Sequence, residues 1–147
     1  FEISVSAYPE KHPEAENMEE GIHYLQRKIN AGATRAITQY FFDVSHYMRY
    51  VELVRKKGIV IPIVPGILPI TNFAQVKKFS ALCGATIPPW LEKMFDGLDD
   101  QPEKRNAVAI KFATEQCQKL IKFGAPALHF YTLNRADLTM AVCKNIS

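Results

Sequence analysis

The sequence predicts an α/β fold made of successive parallel βα units. Three observations carry that reading. Short apolar runs alternate with longer segments whose apolar residues recur at helical spacing. Most helical segments close on a glycine, at Gly32, Gly58, Gly84 and Gly124. The run Ala36-Ile37-Thr38 reads as a strand buried on both faces, as in a parallel sheet with helices outside it.

Taken in order, Phe1 to Ser6 alternates apolar and small polar residues and reads as a strand. Two prolines make Tyr8 to Glu14 a loop. Asn17 reads as a helix cap with Glu20 as its capping-box partner, and Ile22, Leu25 and Ile29 mark the buried face. The strand Ala36-Ile37-Thr38 ends at Gln39, followed by Tyr40, Phe41, Phe42 and Asp43. Asp43 or Ser45 caps a second helix, with Tyr47, Tyr50, Val51 and Val54 on one face and basic residues in its last turn. Val60 to Val64 is the third expected strand, with Pro62 an awkward member, and Pro65 to Pro69 a stiff turn. Asn72 opens a third helix and Pro88-Pro89 a short fourth. Pro102 stands at the start of a long helix ending at Phe123. Leu128 to Tyr131 is the fourth strand, and Asp137 begins the last helix.

Composition sets limits. With 147 residues, 48% hydrophobic and 22% charged, the chain is expected to form one globular domain over residues 1–147. A net charge of +3, with bases and acids interspersed, makes no demand for nucleic acid. No apolar run is long enough for a bilayer. Cys83, Cys117 and Cys143 show no CxxC spacing, which suits reduced thiols and a cytoplasmic protein. Phe1 opening directly into a strand suggests a chain whose beginning lies elsewhere. Four βα units are about half of the roughly 250 residues of an eight-fold barrel. An open doubly wound sheet competes, but no Gly-rich phosphate turn follows any strand.

In either architecture ligands bind beyond the carboxyl ends of the strands. Those ends carry Tyr8 with His12, then Gln39, then Pro65 to Leu68, then Tyr131 to Arg135. The set is aromatic, apolar and sparsely polar. It holds no His/Cys/carboxylate cluster at metal spacing, and no Ser or Cys nucleophile beside a base. Such a rim suits a flat heteroaromatic ligand whose chemistry belongs to a cofactor.

Four blocks sharpen this reading: Ala7-Tyr8-Pro9-Glu10-Lys11-His12-Pro13-Glu14-Ala15, Ala36-Ile37-Thr38-Gln39-Tyr40-Phe41-Phe42-Asp43, Pro65-Gly66-Ile67-Leu68-Pro69 and His129-Phe130-Tyr131-Thr132-Leu133-Asn134-Arg135. In order and spacing they resemble the signature blocks of the methylenetetrahydrofolate reductase family, and the resemblance spans essentially the whole chain. It implies the C-terminal half of a (β/α)8 TIM barrel. It also implies FAD, reduced by NAD(P)H, as the hydride donor that turns 5,10-methylenetetrahydrofolate into 5-methyltetrahydrofolate. Position by position it assigns Tyr8, His12, Arg27 and Lys28 to FAD, the last two as an adjacent cationic pair for its phosphates. It assigns Gln39, Gln75 and Arg135 to folate, and Phe79 to packing on folate or the nicotinamide nucleotide. On the first helix the chain departs from the family pattern, with Gly21 and Tyr24 where Asp and Asn are expected. The proton-donating Glu is expected in the first half of such a barrel, so this chain alone is expected to be inactive. A homo-oligomer, or association with the other barrel half, is the expected partnership.

Each residue taken singly has a plainer reading. Gln39 can be a strand-end amide satisfied by backbone, His129 a satisfied buried histidine, Arg27 and Lys28 a solvated helix end. Phe79 and Trp90 can be packing, and Arg135 can serve the last helix. The joint occurrence of the blocks overturns these readings. The alternative function is a non-catalytic half-barrel, without flavin, that serves folding or subunit contacts.

Overall fold

A computed structural model describes residues 1–147. Four strands, β1 (Ser4–Ala7), β2 (Arg35–Tyr40), β3 (Ile63–Ile67) and β4 (His129–Phe130), form one sheet in the order β1-β2-β3-β4, every pair parallel. Six helices connect or follow them: α1 (Met18–Asn30), α2 (Val44–Lys56), α3 (Phe73–Cys83), α4 (Pro89–Phe95), α5 (Pro102–Phe123) and α6 (Asp137–Ile146). Strands that follow one another in both sequence and space give the winding of a (β/α)8 barrel. A doubly wound sheet reverses its strand order at a switch point, and none occurs here. The architecture is α/β, consistent with half of a TIM barrel.

The helix boundaries follow local chemistry. Asn17, Asp43 and Asn72 each accept a first-turn N–H, from Glu20, Ser45 and Gln75 respectively. Glu20 completes its box one residue early: its carboxylate accepts from the N–H of Glu16, not from that of Asn17. Gly84 and Gly124 end α3 and α5 in the left-handed region, at φ 76° and 106°.

β1 begins at Ser4, not Phe1, and two further strands differ from expectation. β3 begins at Ile63, so Pro65 and Gly66 lie inside it and Pro62 before it. The segment before β3 is held by a side chain: Arg55 Nη1 donates to the carbonyls of Ile59 and Ile61, both at 2.9 Å. Pro65 has no N–H to give the ladder, and the register with β2 shifts there, Ile37 pairing with Val64 but Tyr40 with Gly66. β2 is buried on alternate residues only: Ala36, Thr38 and Tyr40 are enclosed, whereas Ile37 and Gln39 stay half-open. The second face of the strand is not packed by this chain.

The extra residue in β2 divides the core. Ala36 packs with Ile22, Leu25, Tyr47, Tyr50, Val54, Ile63 and Leu120 in the layer between sheet and helices. Tyr40 has the same parity as Ala36, yet it packs with Phe42, Leu68, Phe73, Leu91 and Phe95 under α3 and α4. Past the bulge Tyr40 joins this second cluster, to which α5 also contributes Ala109 and Phe112. Each such aromatic contributes roughly 1.5–3 kcal/mol by leaving water, and the rings of Phe73 and Phe95 stack at 5.2 Å. This second core occupies the carboxyl ends of β2 and β3. Much of the apolar rim is therefore packing, which leaves the ends of β1 and β2 and outlying side chains open.

Candidate functional site

A wide opening lies where β1, the loop after it and α1 meet. It is a cavity of about 540 Å³ whose lining includes Tyr8, His12, Arg27, Lys28, Tyr24 and Tyr50. All four residues assigned to FAD by the sequence resemblance line this one cavity. Its volume falls within the roughly 300–1,000 Å³ of small-molecule and cofactor pockets.

Each wall has a local cause. Tyr8 follows the last residue of β1, and its ring meets that of His12 edge to face at 4.4 Å. His12 Nδ1 accepts from the N–H of Glu14 at 3.0 Å, which leaves Nε2 as the ring's donor. Arg27 and Lys28 sit in the last turn of α1, where the helix dipole favours cations. Lys28 Nζ donates to the carbonyl of Ser6 at 3.0 Å. The Arg27 side chain makes no hydrogen bond or ion pair within the chain, so its guanidinium is available to an anion. At Gly21 an added Cβ would meet nothing within 4 Å. Tyr24 is turned to its own helix, its hydroxyl donating to Glu20 Oε1 at 2.9 Å. That bond raises the Tyr24 phenol above its ordinary value, while the Glu16 N–H and then Tyr24 lower the Glu20 carboxyl. Burial pushes the Tyr50 phenol well up.

A crevice of only about 10 Å³ joins Tyr8 to Gln39, with Glu10, Tyr40 and Cys83 in its walls. Gln39 Oε1 accepts from the N–H of Tyr40 at 3.0 Å, and its Nε2 makes no bond within the chain. The oxygen is thus satisfied by backbone, as the plain reading of a strand-end amide has it, and the nitrogen is left to donate.

The remaining folate-assigned residues are not gathered with these. Gln75 is exposed on α3, and Phe79, one turn on, is 40% exposed and not core. Arg135 is exposed beyond β4, after Leu133 and Asn134 with φ of 49° and 63°. None of the three lines one of the five principal pockets. His129 is half-buried, makes no side-chain hydrogen bond and meets the Tyr131 ring at 4.8 Å. Trp90 is 44% exposed and leans on Phe112 at 5.7 Å.

Sequence reasoning missed Glu10 and Tyr50 at the site. Glu10 lies inside the first signature block, but its partners are distant in sequence. Tyr50 reads as an ordinary core position of α2.

Strand order and a strand-end cavity define the class: a barrel-type α/β protein that places its binding groups beyond the carboxyl ends of its strands. Comparison with known proteins gives the family. The profile of Methylenetetrahydrofolate reductase matches residues 1–147, and the chain belongs to that family. It is 47% identical over 146 residues to 5,10-methylenetetrahydrofolate reductase of Escherichia coli K12, covering 99% of this chain and 49% of that protein. It is 35% identical over 155 residues to Methylenetetrahydrofolate reductase (NADH) 1 of Arabidopsis thaliana, covering 99% of this chain and 26% of that protein. The chain thus spans about half the length of the bacterial relatives. Among solved structures, an uncharacterized Clostridium thermocellum protein that binds two copies of 5-methyl-5,6,7,8-tetrahydrofolic acid matches with a TM-score of 0.62 at 19% identity, covering 99% of this chain and 52% of that one. That likeness speaks for the fold alone.

Proposed function

We propose that this chain forms the FAD- and folate-contacting, C-terminal half of a barrel that reduces 5,10-methylenetetrahydrofolate to 5-methyltetrahydrofolate. FAD, when bound, would supply the hydride-transfer step, with NAD(P)H as reductant. The observation that supports this reading is the gathering of Tyr8, His12, Arg27 and Lys28 around one cavity of about 540 Å³. The donors suit the group. Two cations match a pyrophosphate, His12 Nε2 offers a neutral donor, and the Tyr8–His12 edge offers an apolar wall.

The chain's own residues bind and orient. Arg27, without a partner of its own, neutralises phosphate charge, and Lys28 joins it from the edge of β1. Gln39 presents Nε2 to an acceptor on the pterin. Arg135, Gln75 and Phe79 hold the rest of the folate and the nicotinamide nucleotide from outside the strand ends. No carboxylate of this chain is assigned the role of general acid. Residues 1–147 act as one cytoplasmic domain, completed by the other half of the barrel or by further copies. The folate bound by the Clostridium thermocellum protein fits the same substrate class.

The test is a titration of the 147-residue chain with FAD, read by flavin fluorescence, and with 5-methyltetrahydrofolate, read by calorimetry. Saturable binding of both, without NAD(P)H-dependent turnover, is expected. A colourless chain that binds neither would sink the reading and favour the non-catalytic half-barrel.

A further inference from the structure

We infer that Glu10 is a positioning residue that fixes the flavin-side loop against the end of the folate-side helix; the inference rests on the flavin reading of the cavity. The loop from Tyr8 to Ala15 carries four cavity residues, Tyr8, His12, Glu14 and Ala15, and no regular structure, so something outside it must set its place. Glu10 reaches across the fold. Its Oε1 accepts from the N–H of Thr86 at 3.0 Å, just beyond α3, and lies 3.5 Å from Nε2 of His46 on α2. Its side chain is only 10% exposed, and Oε2 is buried with no partner. A half-satisfied carboxylate in that setting is costly, so its place is not explained by stability.

The surroundings make the same join. A Cβ at Gly84, the left-handed cap of α3, would approach Pro13 Cγ at 3.2 Å, so the loop rests on that cap. Lys11, next to Glu10, holds φ at 69°, which a non-glycine residue keeps only when its surroundings impose it. Glu10 also borders the crevice between Tyr8 and Gln39. The helix that ends just before its Thr86 partner carries Gln75 and Phe79. Through this one carboxylate the flavin-side and folate-side contacts are set as a single body.

The test compares Glu10→Ala, Glu10→Asp and Glu10→Gln in the 147-residue chain, with FAD affinity and thermal melting measured for each. Gln keeps an acceptor for Thr86 N–H; Asp keeps the charge but falls short of it. FAD affinity is expected to drop about tenfold in the Ala and Asp variants, the lower end of what supporting contacts cost at bound groups. It should be restored to within about twofold in the Gln variant. If the Ala variant does not fold, the Asp and Gln variants carry the comparison. Wild-type affinity in the folded Ala or Asp variants would overturn the inference, as would a Gln variant as weak as Asp. Those results leave the flavin reading standing. Failure of the wild-type chain to bind FAD overturns both.

Discussion

Tyr131 lies over Gly66. An added Cβ on Gly66 would stand 2.6 Å from Cε2 of the Tyr131 ring and closer still to the Thr38 carbonyl oxygen. The Tyr131 hydroxyl donates to that same carbonyl at 2.8 Å, and the Gly66 N–H donates to Thr38 Oγ1 at 2.9 Å. β2, β3 and the residue just after β4 are tied at this point. Gly66→Ala therefore forces backbone to move and should cost about 1–3 kcal/mol, as overpacking does. Urea unfolding followed by circular dichroism reads the loss, and a midpoint unchanged from wild type would refute the packing described.

Arg27→Ala removes a cation that has no partner in the chain. Stability should be unchanged in thermal melting. FAD affinity should fall by about 1.5–3 kcal/mol, the worth of a charged hydrogen bond. The wild-type affinity should also weaken with added salt, and less steeply so in the variant.

Gln39→Ala should separate the two ligands. The side chain borders the crevice near Tyr8 but not the large cavity. Binding of 5-methyltetrahydrofolate should drop by about 0.5–1.5 kcal/mol, one neutral hydrogen bond, while FAD titration stays near wild type. An equal loss of both ligands would count against the folate role.

Alkaline pH should destabilise the fold. Burial pushes the Tyr47 phenol up to about 12, with Arg55 opposing, and the Cys117 thiol up to about 12, with Cys143 adding to the rise. Both groups ionise earlier in the unfolded chain, at about 10 and 8.5. Their contribution is whole below those values and is lost as pH rises toward 12. Urea midpoints measured from pH 8 to pH 11 should fall, and less steeply for Cys117→Ala after allowing for its cavity. The Tyr47 hydroxyl also donates to the Ile63 carbonyl at 2.6 Å, a bond that its ionisation removes.

What the sequence showed and hid divides along the range of the interaction. Caps at Asn17, Asp43, Asn72, Gly84 and Gly124 were legible because each acts within three or four residues. β3 was placed too early because Pro62 and Pro65 look alike in a list of letters. Only the pairing with β2 says which one the ladder tolerates. The turn of Tyr40 to the second core depends on a bulge, and no periodicity announces one. The cavity residues were legible because Tyr8 and His12 share one block and Arg27 and Lys28 one helical turn. Glu10 was not, since its partners are 36 and 76 positions away.

The bond from Lys28 to Ser6 has one more consequence. The carbonyl of Ile3 accepts from Thr34 and Arg35, so by alternation the Ser6 carbonyl points away from β2, along the margin where a foreign strand could add. An ammonium planted there occupies an acceptor on the margin where the other half of the barrel would have to pair. An anion that drew Lys28 into the cavity would free that acceptor, so pairing along the β1 edge should respond to whatever fills the pocket beside it.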